Sequence, residues 1–207
     1  MLEGSDRIVF IHFVPGSFGS FLLHCLSYST SVFLQNKKDI FFDESGAAHH
    51  EITQFFLDFH TGARVYEWAN STTEVQKTYL EKNWEPPKEF LNSNLHYVHR
   101  ILLPKQVELI KHHIPKAKYI KITIPYKYNQ IVRDMAIKKH PLKNIPDIYY
   151  TNIKNNDIID GVYDFNISHF IEGTFLTEFD KLCEWLNFEK TDVSSQYEKF
   201  KQVNGFI

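Results

Sequence analysis

Apolar and polar positions along the chain change period several times, and each change marks an element. Arg7 to Val14 (RIVFIHFV) is a β-branched and aromatic run between Gly4-Ser5-Asp6 and Pro15-Gly16-Ser17, which predicts a buried strand. From Ser20 onward, Phe21, Leu22, Cys25 and Leu26 recur at helical spacing, so the chain opens as strand, Gly/Ser turn and helix. A turn at Asp43-Glu44-Ser45-Gly46 precedes two amphipathic stretches, Glu51 to His60 and Thr73 to Trp84, which predict helices; Pro86-Pro87 ends the second. Leu95 to Ile101 predicts a short strand. Pro104 then starts a helix carrying Val107, Leu109 and Ile110, and Pro115 closes it. Tyr119 to Ile124 alternates with period two up to Pro125, a further strand, and Asn129 to Lys139 predicts a helix with Ile131, Val132 and Met135 on one side. Gly161 to Asn166 is extended, and Thr174 to Phe188 is helical, with a core stripe of Phe175, Phe179, Leu182 and Leu186. Alternating strands and helices predict an α/β fold of three layers, α/β/α, with a central, mostly parallel sheet. No repeat, low-complexity tract or Gly/Ser linker interrupts the pattern, so residues 1–207 are expected to form a single domain.

Composition narrows the classes. A chain of 207 residues with 43% hydrophobic and 23% charged residues can bury a core, which excludes disordered and fibrous proteins. A formal charge of -2 gives no whole-molecule attraction to nucleic acid or anionic membrane, so an anion must be held by a local site. The apolar stretches are too short and interrupted to span a bilayer, and Glu3 and Asp6 stand where a signal peptide carries basic residues; a cytoplasmic chain is the expectation. Cys25 and Cys183 lack metal-type spacing and read as small core residues. The pairs His49-His50 and His112-His113 diverge in direction and have no partner at ligand spacing, so no metal is expected. Arginines are confined to Arg7, Arg64, Arg100 and Arg133, which leaves few candidates for bidentate phosphate recognition.

The informative stretch is Pro15-Gly16-Ser17-Phe18-Gly19-Ser20, between the first strand and the first helix. In parallel sheets ligands sit beyond the carboxyl ends of the strands, where glycines, backbone amides and hydroxyls at a helix start can cradle phosphate or sulfate. The same residues also fit a plain strand-to-helix turn with a serine cap. A Walker A loop is excluded because no lysine is present, and the dinucleotide fingerprint because no third glycine follows Gly16 and Gly19. A hydrolase nucleophile elbow is excluded because the Gly-x-Ser-x-Gly frame is missing.

His12 to Leu23 (HFVPGSFGSFLL) resembles the 5′-phosphosulfate loop of the sulfotransferases, with Pro15, Ser17, Gly19, Ser20 and Leu22 on the matching positions. Leu95 to Pro104 (LHYVHRILLP) is similar to the family segment that carries the catalytic histidine, and His99 falls on it. Lys118 to Arg133 resembles the strand and helix that bind the nucleotide 3′-phosphate, and Tyr163 to Phe188 the closing strand and helix. The resemblance implies a P-loop-type fold that transfers a sulfuryl group from 3′-phosphoadenosine 5′-phosphosulfate (PAPS) to a hydroxyl or amine of a carbohydrate or small metabolite. By the same resemblance His99 is the general base, and Gly16, Ser17, Phe18, Gly19, Ser20 and Arg133 contact the donor. The chain departs from the family where the loop lysine is Gly16, where Tyr97 precedes His99, and where Arg-Asp-Pro reads Ile124-Pro125-Tyr126; Arg100, Lys105, Lys127 and Arg133 are the replacement cations to weigh. These losses favour, as the alternative, a catalytically reduced relative that binds a nucleotide or anionic glycan without turnover. A phosphotransferase of the same fold is less favoured without a Walker lysine. Short loops leave room for a partner subunit, as in a homo-oligomer, to complete the acceptor side.

Overall fold

The computed structural model describes residues 8–14, 16–32, 41–42, 48–49, 94–98, 115–139 and 159–206. Strand β1 (Val9–His12) leads into helix α1 (Gly19–Leu26), followed by the short strands β2 (Phe41–Phe42) and β3 (Ala48–His49). Next come β4 (Leu95–Val98) and β5 (Lys118–Thr123), then a 3-10 turn (Tyr126–Tyr128) that runs into α2 (Asn129–Lys139). Strand β6 (Val162–Asn166) and helices α3 (Ser168–Ile171), α4 (Phe175–Leu186) and α5 (Ser194–Asn204) complete the series.

The sheet has the order β4-β1-β5-β6, and every pairing in it is parallel. The expected α/β class with a central parallel sheet is therefore the observed one, built on the buried apolar runs that parallel strands require. The first strand lies between two later ones. The chain leaves β1 toward β4 and leaves β5 toward β6, so the connections diverge between β1 and β5, and it is in the crevice beyond the carboxyl ends at such a point that parallel sheets hold their ligands.

Register divides the sheet into two chemically different faces. On one, Ile11 aligns with Ile120 and Ile122 with Phe165 of β6, and with Val9 they join α1 and the Phe175–Phe179–Leu182–Leu186 stripe of α4 in one core. On the other, Phe10 stacks on Tyr119 at 5.7 Å, while His12, Lys121 and Asp164 form a polar row across three strands. Burying each large apolar side chain of the first face contributes about 1.5–3 kcal/mol.

The apolar face continues into an aromatic cluster. Phe21 of α1 stacks on Phe200 of α5 at 4.1 Å, Phe170 stacks on Phe175 at 5.2 Å, and the Tyr197 hydroxyl donates to the Phe170 carbonyl at 3.0 Å. Gly205 ends α5 with φ 73°, which turns the chain back so that the Phe206 amide bonds the Lys201 carbonyl at 3.0 Å.

The strand expected over Arg7 to Val14 pairs only over Val9–His12, because Phe13 and Val14 pack into the core beyond the ladder. The β2–β3 hairpin, α3 and α5 add to the predicted elements. The turn at 43–46, the helices expected over 51–60 and 73–84 and the helix after Pro104 lie outside the described residues. Among the described residues, no helix is long and apolar enough to cross a membrane.

Candidate functional site

The loop between β1 and α1 is held at three points. Gly16 adopts φ 83°, and a Cβ there would stand 2.2 Å from the Val132 carbonyl oxygen, so the loop packs directly on the α2 backbone. A Cβ on Gly19 would stand 2.0 Å from the Phe13 ring, which lies flat against that glycine. Between them Phe18 takes the left-handed conformation, φ 62° and ψ 15°, which costs a bulky residue about 1–2 kcal/mol. Its ring offsets that cost inside the aromatic cluster, edge-on to Phe200 at 5.1 Å and to Phe206 at 5.5 Å.

These constraints decide which polar groups the loop can present. Ser17 is fully buried, and its hydroxyl donates to the Val14 carbonyl at 2.7 Å, so it stabilises the turn from within. Helix α1 begins without a side-chain cap and has no acidic residue in its first turn. The amides of Gly19 and Ser20 are its first two and have no intrahelical acceptor, and Ser20 is half-buried. Those amides and the Ser20 hydroxyl form a compact set of donors at the positive end of the helix dipole, suited to phosphate or sulfate oxygens.

A second polar set lies where β1 and β5 end. His12 and Lys121 are register partners, as are Lys121 and Asp164. Lys121 is 5% exposed, and its ammonium sits 3.0 Å from the Asp164 carboxylate. His12 is 2% exposed, and neither ring nitrogen has a hydrogen-bond partner among the described residues. Burial alone pushes the His12 pKa from 6.5 to about 3, so the ring is neutral and is no base near pH 7. Beyond β5, Tyr126 is 86% exposed, and Lys127 pairs with Glu172 at 2.9 Å. Tyr128 donates to the same carboxylate.

Gly16, Ser17, Phe18, Gly19 and Ser20 form one continuous turn into α1, and through Gly16 that turn packs on α2, the helix of Arg133. Arg133 follows Val132, whose carbonyl meets Gly16, and its side chain is exposed. His99, Arg100 and Lys105 lie outside the described residues, and β4 ends at Val98, register partner of His12. Sequence reasoning passed over His12, Lys121 and Asp164. The available signal was a histidine and a lysine at inward positions of two otherwise apolar strands, RIVFIHFV and YIKITI. Cys25 and Cys183 are both buried free thiols, with burial pushing each pKa up and that of Cys183 to about 11, so neither is a thiolate nucleophile near neutral pH.

No family model matches the chain. No curated protein matches it either. Among solved structures, the chain is similar to one described as "Sulfotransferase Domain from the Curacin Biosynthetic Pathway", at 14% identity and a TM-score of 0.42, over 95% of this chain and 77% of that one.

Proposed function

We propose that the crevice beyond β1 and β5 binds the anionic end of PAPS and that the protein is a sulfotransferase-like transferase acting on a hydroxyl or amine of a carbohydrate or small metabolite. The observation that carries this reading is the uncapped start of α1 at the point where the strand connections diverge, with the Gly19 and Ser20 amides left without intrahelical acceptors. The loop resemblance in the sequence supports the same ligand. The donor set fits a phosphate or sulfate group, since amides and a hydroxyl match tetrahedral oxygens without a metal. In the transfer, the acceptor oxygen or nitrogen bonds to sulfur as the bond from sulfur to the phosphate oxygen breaks. His99 takes the acceptor proton, and Arg133 serves the 3′-phosphate.

A second reading, binding without turnover, is favoured by the pairing of the cations at the crevice. Lys121 is matched by Asp164 and Lys127 by Glu172, which leaves less positive charge for the oxygens of a leaving phosphate. Acceptor sulfation assays separate the readings. If transfer occurs, His99→Ala abolishes turnover while binding of 3′-phosphoadenosine 5′-phosphate persists; binding with no acceptor ever sulfated establishes the second reading.

A further inference from the structure

The anion loop has an unusual support. Phe18 occupies a backbone conformation that favours glycine, at the residue whose carbonyl accepts the first bonds of α1, from the Phe21 and Leu22 amides at 3.0 and 3.1 Å. No side-chain cap fixes it there, because Phe18 makes none and Ser17 is bonded backward to Val14. The ring is instead gripped from three later elements: Phe170 of α3 at 5.6 Å, Phe200 of α5 and Phe206 beyond it. Phe206 reaches Phe18 only because Gly205 takes φ 73° and reverses the chain at the end of α5. Phe206 also meets Phe200 at 5.9 Å, so ring and helix close over Phe18 as one unit.

We infer that Phe206, with α5, is a positioning element for the candidate site, holding Phe18 left-handed so that the Gly19 and Ser20 amides keep the geometry an anion needs. This inference rests on the proposed anion-binding reading for its functional consequence and on the ring contacts alone for its structural one. If the ring is released, Phe18 can relax to the ordinary right-handed or extended region, which re-aims the two amides that follow. Affinity then falls by the fraction of molecules that keep the competent loop. Phe206 is half-buried at the edge of the cluster, so its loss removes one contact to Phe200 and leaves the packing of Phe21 on Phe175 in place.

The test compares Phe206→Ala and Phe206→Tyr with Leu176→Ala, a control on α4 at a partly buried residue packed against the same core. Two quantities are read on the full chain: exchange of the Ser17, Phe21 and Leu22 amides, and affinity for 3′-phosphoadenosine 5′-phosphate. Phe206→Ala is expected to speed exchange at those amides and to weaken binding about tenfold, with Phe206→Tyr restoring both and Leu176→Ala changing neither beyond its effect on global stability. Unchanged exchange in Phe206→Ala overturns the clamp whatever the affinity does. Faster exchange with undiminished affinity overturns its positioning role. Should the wild-type chain bind no nucleotide, the functional reading and its positioning consequence fall together, while the exchange data still decide the structural clamp.

Discussion

His12 is a residue whose environment runs against its chemistry. Folded, it is held neutral with a pKa near 3; unfolded, it titrates near 6.5, and His24 behaves alike, lowered to about 4 by burial and then by Lys199. Between pH 6.5 and those folded values the unfolded chain binds more protons. Stability is therefore full above pH 6.5 and falls as pH drops, by up to about 1.4 kcal/mol per pH unit for each histidine. His12→Leu removes one such group and relieves a buried polar ring. Denaturant titrations at pH 7 and pH 5 are expected to show the variant losing less stability on acidification than wild type, by roughly 2 kcal/mol. An equal loss in both proteins would mean that His12 is charged or solvated in the fold. The loop glycines make a second residue-scale contrast. Gly16→Ala meets backbone at 2.2 Å from a positive φ, whereas Gly19→Ala meets a side-chain ring at φ in the ordinary range. Both variants destabilise, by about 1–3 kcal/mol for the ring contact and more for the backbone one, and equilibrium unfolding that ranks them in reverse would contradict the packing of the loop on α2.

At the scale of elements, the pairing of β5 with β6 carries an asymmetric ion pair. Lys121 is 6% and Asp164 39% exposed in their side chains, so the two ends are not equivalent. Asp164→Ala strips a counter-charge from a buried ammonium and is expected to cost about 3 kcal/mol. Lys121→Met leaves a carboxylate that water can solvate, and costs less than half as much. Equal costs in urea unfolding would argue against burial of the lysine. The strands and helices that framed this pair were legible in sequence, because β1, β5, α2 and α4 each pair a clear period with a Pro, Gly or Ser stop. The pair itself was not, since nothing local to YIKITI reveals which residue of β6 will stand beside Lys121. Helix α5 was legible in retrospect, with Tyr197 and Phe200 one turn apart and Gly205 at its end, but Lys, Glu and Gln around them dilute the apolar signal. Two-residue strands such as β2 and β3 carry too few positions to show any period.

For the molecule as a whole, sequence pattern was enough to reach a parallel α/β sheet and to place a donor-rich loop at its carboxyl end. What it could not reach is the internal economy of that loop. Ser17 read as a ligand donor and is fully buried, bonded to Val14, while Phe18, an aromatic in a glycine-like conformation, is fixed by rings that come almost two hundred residues later. Both facts arise from tertiary packing, which overrides local preference wherever a core is dense enough to hold a strained turn. On the proposed reading, this uncapped helix start binds the anionic end of a nucleotide. The most direct measurement is calorimetric titration of the wild-type chain and Ser20→Glu with 3′-phosphoadenosine 5′-phosphate, using ATP and sulfate as comparators. A glutamate in the first turn suits the helix dipole, so the variant keeps its fold while repelling an anion. Binding by wild type that prefers the 3′-phosphate and falls more than about tenfold in Ser20→Glu is the predicted result. No binding at millimolar nucleotide, or equal binding by a folded Ser20→Glu, would contradict it.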